Sequence, residues 1–295
     1  MQKIWDREFM LKIGIIGSGP SMAARIQQWE VVPHVVVTGY VLAAEEGQSV
    51  FAGTQQYDNA DLLIEAVDII DIFLDIPAQV QYIYKAIFFH KHLFIHNPFV
   101  IGITELLHIA KLIQEAKVKC QVGLYFRFQD SIQELARNRQ PLKFMESVWH
   151  YKHTTVAQLY SWTEVVNNHI DLILHLLHSQ VRKIYANGVM VHTDQKDIVS
   201  IRIQFDNGAV GTVVLNSCAL KPVHNISLYG KTYASEIALL EHSSPEEGQI
   251  ATVLINEALT SFISAVSQDS VIKVTIFDAI NSVELSNEIL KQIEA

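Results

Sequence analysis

The run Lys12-Ile13-Gly14-Ile15-Ile16-Gly17-Ser18-Gly19-Pro20-Ser21-Met22-Ala23 has the residue types and spacing to bind a nucleotide. It starts as an apolar strand, turns on glycines and continues into a helix. Glycines let the backbone approach a pyrophosphate, and the helix N-terminus offers unused N–H groups. Asp171, His175 and His178 fall at i, i+4 and i+7. On one helix face such a set can hold a metal ion, or it can be a packed carboxylate with two histidines bordering the core; no metal is expected. Phe126, Tyr160 and Trp162 can stack a flat or apolar ligand, or pack in a core. Arg127 can take an anionic ligand or a carboxylate of its own chain. Lys152 or Tyr151 can supply a proton if their strand lines a cleft.

These residues need a sizeable scaffold, and 295 residues suffice for two domains. Hydrophobic content of 49% and charged content of 18% describe a folded globular chain. The net charge is -9 and no Lys/Arg-rich run occurs, so nucleic acid is not an expected partner. Cys120 and Cys218 form no Cys-x-x-Cys motif. Free thiols in a reducing, cytoplasmic setting are expected. Residues 1–9 mix charged and apolar side chains and read as an extension outside the fold. No uncharged apolar run reaches the ~18–20 residues that span a bilayer, so no membrane partner is expected.

Up to residue 124 strands and helices alternate. Strands are expected at Leu11–Ile16, Val35–Leu42, Ile69–Leu74, Leu93–Ile95 and Lys119–Leu124. Helices are expected at Ser21–Trp29, Asn59–Ala66, Gln79–Phe89 and Thr104–Ala116, with Thr104 as N-cap. This alternation predicts an α/β fold, a Rossmann doubly wound parallel sheet, over 1–124. Residues 125–295 read as an α+β domain on an open, mostly antiparallel sheet. Its helices are expected at Ser131–Asn138, Val165–Leu177, Leu254–Ser267 and Ala279–Gln292. Its strands are expected at Phe144–His153, Val181–Val191, Ile198–Phe205 and Ala209–Ser217, with further ones at Ile226–Tyr229 and Glu236–Leu240. Asp206-Asn207-Gly208 is a hairpin signal, because Asn-Gly tolerates positive φ.

In order and spacing the chain resembles the glucose-fructose oxidoreductase, inositol dehydrogenase and MocA-like oxidoreductases. The likeness runs through Gly14–Gly19, Asp75-Ile76-Pro77 and Lys91-His92-Leu93-Phe94-Ile95-His96-Asn97-Pro98. It continues through Val122-Gly123-Leu124-Tyr125-Phe126-Arg127-Phe128, His169-Ile170-Asp171 and Phe205-Asp206-Asn207-Gly208-Ala209-Val210-Gly211. The resemblance implies a nicotinamide cofactor, a small hydroxy or carbonyl (sugar-like) substrate, and a homodimer or homotetramer formed through the C-terminal sheet. The implied cofactor-binding positions are Gly17, Ser18, Gly19, Pro20, Met22, Leu42, Ile76, Pro77, Asn97 and Pro98. The implied chemical positions are Asn97, Glu164 and Asn168, with His169 adjacent. Arg127, Lys152 and Trp162 are the expected substrate contacts.

Several of these positions depart from the family pattern. Met22 replaces a small residue and would hold the helix off the strand or crowd the pyrophosphate. Leu42 stands where an acidic residue bonds the adenosine ribose, with Glu45 and Glu46 as the nearest carboxylates. No Lys or Arg nearby favours a 2′-phosphate, so NAD(H) is favoured over NADP(H); a chain that binds neither is the other outcome. Ile76, Ala78 and Gln81 replace the family's Thr, Asn and His. Asn97 replaces the catalytic Lys, and Glu164 and Asn168 replace its Asp and His. An amide does not titrate near neutral pH, so it is no general acid or base. Three readings follow: an oxidoreductase with altered acid–base groups, a non-catalytic relative acting as ligand sensor or protein-binding scaffold, or a crevice at the sheet's C-terminal edge that takes a different nucleotide or an apolar ligand.

Overall fold

The computed structural model describes residues 10–19, 21–43, 53–138, 141–152, 162–192, 194, 196–239 and 252–294; for Lys152, Trp162 and Thr163 only the backbone is described. The expected extension at residues 1–9, and Pro20, Glu45, Glu46 and Tyr160, lie outside these residues. The chain divides into two compact units, Met1–Gly123 with Ile255–Phe277, and Leu124–Leu254 with Asp278–Ala295.

In the first unit, β1 (Leu11–Gly17) is buried along its last five residues. Apolar side chains on both faces suit a parallel strand covered on two sides. The other strands are β2 (Val35–Leu42), β3 (Gln55–Gln56), β4 (Ile69–Phe73), β5 (His92–Ile95) and β6 (Cys120–Val122). They form one parallel sheet in the order β3-β2-β1-β4-β5-β6. The order reverses between β1 and β4, which is where such sheets open a crevice for a dinucleotide.

The helices are α1 (Met22–Glu30), α2 (Ala60–Ala66), α3 (Val80–Phe88) and α4 (Ile103–Ala116). Asn59 caps α2, its Oδ1 accepting from Asp61 N at 2.8 Å. Thr104 does not cap α4. The helix starts behind Gly102, whose carbonyl accepts from Glu105 N and Leu106 N at 3.0 Å.

The units divide between Gly123 and Leu124, and Ile255–Phe277 groups with the first of them. Edge strand β6 needs a cover for its unpaired groups and apolar face. This segment supplies it: Val122 N donates to Val274 O at 3.2 Å. Gln121 Nε2 donates to Ala258 O at 2.7 Å. The Phe262 ring meets Phe94 edge-on at 5.7 Å.

The second unit holds α5 (Asp130–Asn138), α6 (Trp162–Leu177) and a six-stranded sheet in the order β12-β11-β7-β10-β9-β8. Its strands are β7 (Leu142–Lys152), β8 (Val181–Val189), β9 (Ile198–Phe205), β10 (Val210–Asn216), β11 (Cys218–Gly230) and β12 (Ala234–Ala238). All pairings are antiparallel except β10 with β7. The Asp206-Asn207-Gly208 hairpin is present, with Gly208 at φ 77° and Asn207 Oδ1 accepting from Ala209 N at 2.9 Å. The strand expected at Ile226–Tyr229 is part of the longer β11. Its first half escapes the alternation pattern because the register shifts between Cys218 and Val223, around Pro222.

The remaining helices, α7 (Thr252–Ser267) and α8 (Ile276–Glu294), straddle the division; α8 lies in the second unit from Asp278 onward. No described helix is long and apolar enough to cross a membrane.

α6 lies close to β10 because Gly211 has no side chain: a Cβ there would stand 2.7 Å from Ile173 Cγ2. Gly211→Ala is expected to cost about 1–3 kcal/mol by overpacking, read by urea unfolding, and to cost less when introduced into an Ile173→Ala background. An unchanged unfolding midpoint for Gly211→Ala would contradict this packing.

Candidate functional site

The nucleotide features belong to the first unit. β1 ends at Gly17, and Gly19 takes φ 81°, a conformation that suits glycine and turns the chain into α1. Ser18 and Gly19 are partly exposed. Ser21 is the N-cap of α1 but makes no side-chain cap bond, and the first turn has no acidic residue. The N-terminal N–H groups are therefore neither capped by Ser21 nor neutralised within the turn, which fits an anion.

Met22 does not protrude toward that position. It is fully buried, and its sulfur occupies the space a Cβ on Gly17 would fill. The long side chain is thus accommodated beneath the turn, in the room that Gly17 leaves.

Among the described residues, the other positions expected to meet a nucleotide carry few hydrogen-bonding side chains. Leu42, beside Gly17 in register, is half-buried and apolar. Ile76, Pro77 and Ala78 are exposed around a short turn, Pro77–Gln79. Asn97 is 5% exposed, and its amide is committed locally. Nδ2 donates to Asp75 Oδ1 at 3.0 Å, and Oδ1 accepts from Phe99 N at 3.0 Å, capping the turn that starts at the buried Pro98. Buried Gln79 holds the Asn97 carbonyl at 2.8 Å. Asn97 therefore acts as a structural cap, which is what an Asn before Pro does at a turn start.

Beneath these residues lies a buried ion pair that the sequence reading did not identify. Arg25 on α1 donates through Nε to Asp71 Oδ2 at 2.6 Å and through Nη2 to Oδ1 at 3.0 Å, with both side chains fully buried. Trp29 Nε1 donates to Asp71 Oδ2 at 2.7 Å. The signal was present: Asp71 interrupts the apolar strand Ile69-Ile70-Asp71-Ile72, and a buried carboxylate needs a partner. Burial and then the Arg25 charge push the His96 imidazole down to about 3.

The groups expected to do chemistry belong to the second unit, near the start of α6. Glu164 is half-buried and Asn168 is 8% exposed. His169 is 1% exposed, with Nδ1 2.7 Å from Ser147 Oγ. Its ring lies 5.2 Å from His224, and Trp149 stacks on His224 at 5.1 Å. Burial pushes His169 down to about 3, and burial with the neighbouring His169 holds His224 well below its ordinary value. Both imidazoles are neutral at physiological pH. Phe126 is 7% exposed and meets His224 edge-on at 5.3 Å. Tyr151 is buried, and its hydroxyl is pushed up to about 12 by burial and then by Asp197. The side chains of Lys152 and Trp162 lie outside the described residues.

Arg127 faces its own chain's carboxylates. It donates to Asp171 at 2.8 and 2.5 Å and to Asp278 at 3.0 Å. Burial opposes its charge, but these carboxylates outweigh it and hold the guanidinium protonated. Asp171 is thereby committed, and His178 falls beyond the end of α6 at φ 46°, so the three-ligand helix face is not formed. Among the described residues no three His, Cys, Asp or Glu side chains are grouped to hold a metal.

No protein-family model matches the chain, and no curated protein sequence is detectably similar. Solved structures do resemble it. UDP-N-acetylglucosamine 3-dehydrogenase GnnA from Acidithiobacillus ferrooxidans is 14% identical with TM-score 0.83, covering 97% of this chain and 98% of that one. Scyllo-inositol dehydrogenase from Lactobacillus casei, solved with NAD(H) and scyllo-inositol, is 15% identical with TM-score 0.80, covering 97% of both chains. An oxidoreductase from Agrobacterium radiobacter, solved with NAD+, L-tartaric acid and magnesium, is 13% identical with TM-score 0.81, covering 96% of both. The chain has the two-domain fold of these dehydrogenases.

Two outcomes follow from the buried polar groups. Arg25→Met strands the Asp71 carboxylate and is expected to cost about 3–5 kcal/mol in urea unfolding, largely recovered in Arg25→Met/Asp71→Leu. Equal losses in the single and double variants would contradict the pairing. His169 has its folded value below the ordinary 6.5, so the unfolded chain takes up this proton first. Its contribution to stability is complete above about 6.5 and is lost as pH falls toward 3. His169→Gln is therefore expected to show a shallower fall in melting temperature between pH 6.5 and 4. An unchanged slope would contradict a buried, neutral His169.

Proposed function

We propose that the chain is an oxidoreductase of the glucose-fructose oxidoreductase, inositol dehydrogenase and MocA-like family, taking a nicotinamide nucleotide and a small hydroxy or carbonyl compound of the sugar or polyol class. The observation that carries this reading is the glycine turn. Gly17-Ser18-Gly19 leads into an α1 N-terminus without a side-chain cap or an acidic first turn, at the point where the strand order reverses. The dehydrogenases that share the fold support it, two of them solved with NAD(H) or NAD+.

A bound nicotinamide would supply the hydride acceptor or donor. Oxidation of a hydroxyl also releases a proton from oxygen, and neither Asn97 nor Asn168 can take it. Glu164 is the ionisable group kept among the chemical positions, and we assign it the proton. Asn168 orients the reacting oxygen. NAD(H) is the preferred cofactor, since neither Leu42 nor its described neighbours bring a cation for a 2′-phosphate. The second sheet is the proposed surface for a homodimer or homotetramer.

A second reading, a non-catalytic ligand sensor or protein-binding scaffold, has one observation in its favour. Asn97, where the family has a catalytic Lys, caps a turn.

Calorimetric titration with NADH and NADPH, followed by turnover assays with polyols and sugars, separates the readings. Micromolar NADH binding with turnover that falls at least tenfold in Glu164→Gln is expected. Leu42→Asp should tighten NADH about tenfold by restoring a ribose partner. No binding at millimolar nucleotide would overturn the oxidoreductase reading, and binding without turnover would favour the sensor.

A further inference from the structure

The second unit carries a cavity of about 460 Å³ that holds none of the positions expected to meet nucleotide or substrate. It lies between the start of β8, Val181 to Ile184, and the α8 stretch from Asn281 to Glu288. Its volume is in the range of small-molecule sites. Ile184 and Leu285, both buried, give it an apolar lining together with Leu174 of α6. Among the described residues no aromatic side chain lines it, so it offers no stacking platform.

The cavity arises from the way α8 covers an edge strand. Gln292 Oε1 accepts from Ala186 N at 2.9 Å, and its Nε2 donates to Ile184 O at 3.5 Å. Ahead of Gln292 the cover stops and the cavity begins. There Asn281, Glu284, Leu285 and Glu288 recur at i, i+3, i+4 and i+7, so one face of α8 forms a wall. The facing strand is irregular at the same level. Val181 pairs with Phe205 and Lys183 with Gln204, which leaves Arg182 as an extra residue. A bulge of this kind at a sheet edge re-aims a side chain, and Arg182 borders the cavity. Lys183 borders it too, but its Nζ is engaged 4.6 Å from the centre of the Tyr185 ring.

Arg182, Glu284 and Glu288 are exposed, and among the described residues none of them makes a salt bridge. One guanidinium thus shares a cavity with two carboxylates that it does not neutralise. A ligand that answers all three carries one anionic group and two cationic ones. We propose that this cavity binds a basic α-amino acid, its carboxylate on Arg182 and its two cationic groups on Glu284 and Glu288. A guanidinium takes a carboxylate through paired N–H donors. The two glutamates are displaced by about 6 Å along the helix axis, a span that the four-carbon stem of a lysine bridges. Ile184 and Leu285 pack that stem, and Asn281 supplies a neutral donor and acceptor. The proposal stands independently of the nucleotide reading.

Calorimetric titration of the full chain with L-lysine, cadaverine and norleucine tests it. Cadaverine lacks the carboxylate, and norleucine lacks the side-chain ammonium. Saturable binding of L-lysine is expected, with each analogue about tenfold weaker. Arg182→Met should weaken L-lysine about tenfold and leave cadaverine within twofold, because cadaverine has nothing for Arg182 to hold. Glu284→Gln and Glu288→Gln should each weaken both L-lysine and cadaverine about tenfold. All three positions are exposed, so the variants should melt near wild type. No saturable binding of L-lysine at millimolar concentration would overturn the site. So would norleucine binding as tightly as L-lysine, or L-lysine affinity unchanged in all three variants.

Discussion

The first unit is organised around one buried interaction, Arg25 with Asp71. A carboxylate in the middle of a parallel sheet is costly unless it is paired and hydrogen-bonded. Here the partners come from a single helix, Arg25 and Trp29 one turn apart. That fixes the height and rotation of α1 above β4. The same helix carries Met22 into the space over Gly17, and its first turn follows the glycines. The position of the N–H groups at the start of α1 is therefore set from below, by polar pairing and apolar filling together. A small residue at position 22 is not required, because Gly17 itself leaves the room.

The second unit uses the same device. Arg127 ties α6 to α8 through Asp171 and Asp278. Ser147 on β7 anchors His169 on α6. Arg127 and His169 thus turn inward and hold helices to each other or to the sheet. Asn97 in the first unit does likewise by capping its turn. Asn97 is an amide and burial keeps His169 neutral, so neither transfers a proton readily at neutral pH. Any proton chemistry therefore falls to a less enclosed group such as Glu164.

Much of the fold was legible in the sequence because it depends on local pattern. β-branched runs marked the parallel strands, and Asn207-Gly208 marked the hairpin through its tolerance of positive φ. Long-range choices were not legible. Asp71 announced that it needed a partner, but nothing local named Arg25, 46 positions away. The helix from Ile255 reads like any amphipathic helix, and its docking on β6 depends on an exposed strand edge that exists only after folding. Pro222 and the register shift erase alternation in the first half of β11, so only its second half shows a strand pattern. At the candidate site, residue types were readable, whereas their commitments were not. That Asn97 caps a turn and Arg127 meets two carboxylates follows from tertiary neighbours.

On the proposed reading, the glycine turn and the inward-clamped α1 of the first unit bind the nucleotide's phosphates. Amide chemical shifts of 15N-labelled protein during titration with NADH test it most directly. The largest saturable shifts are predicted at Ser18, Gly19 and the first residues of α1. Shifts confined to other surfaces, or none at millimolar NADH, would contradict the account.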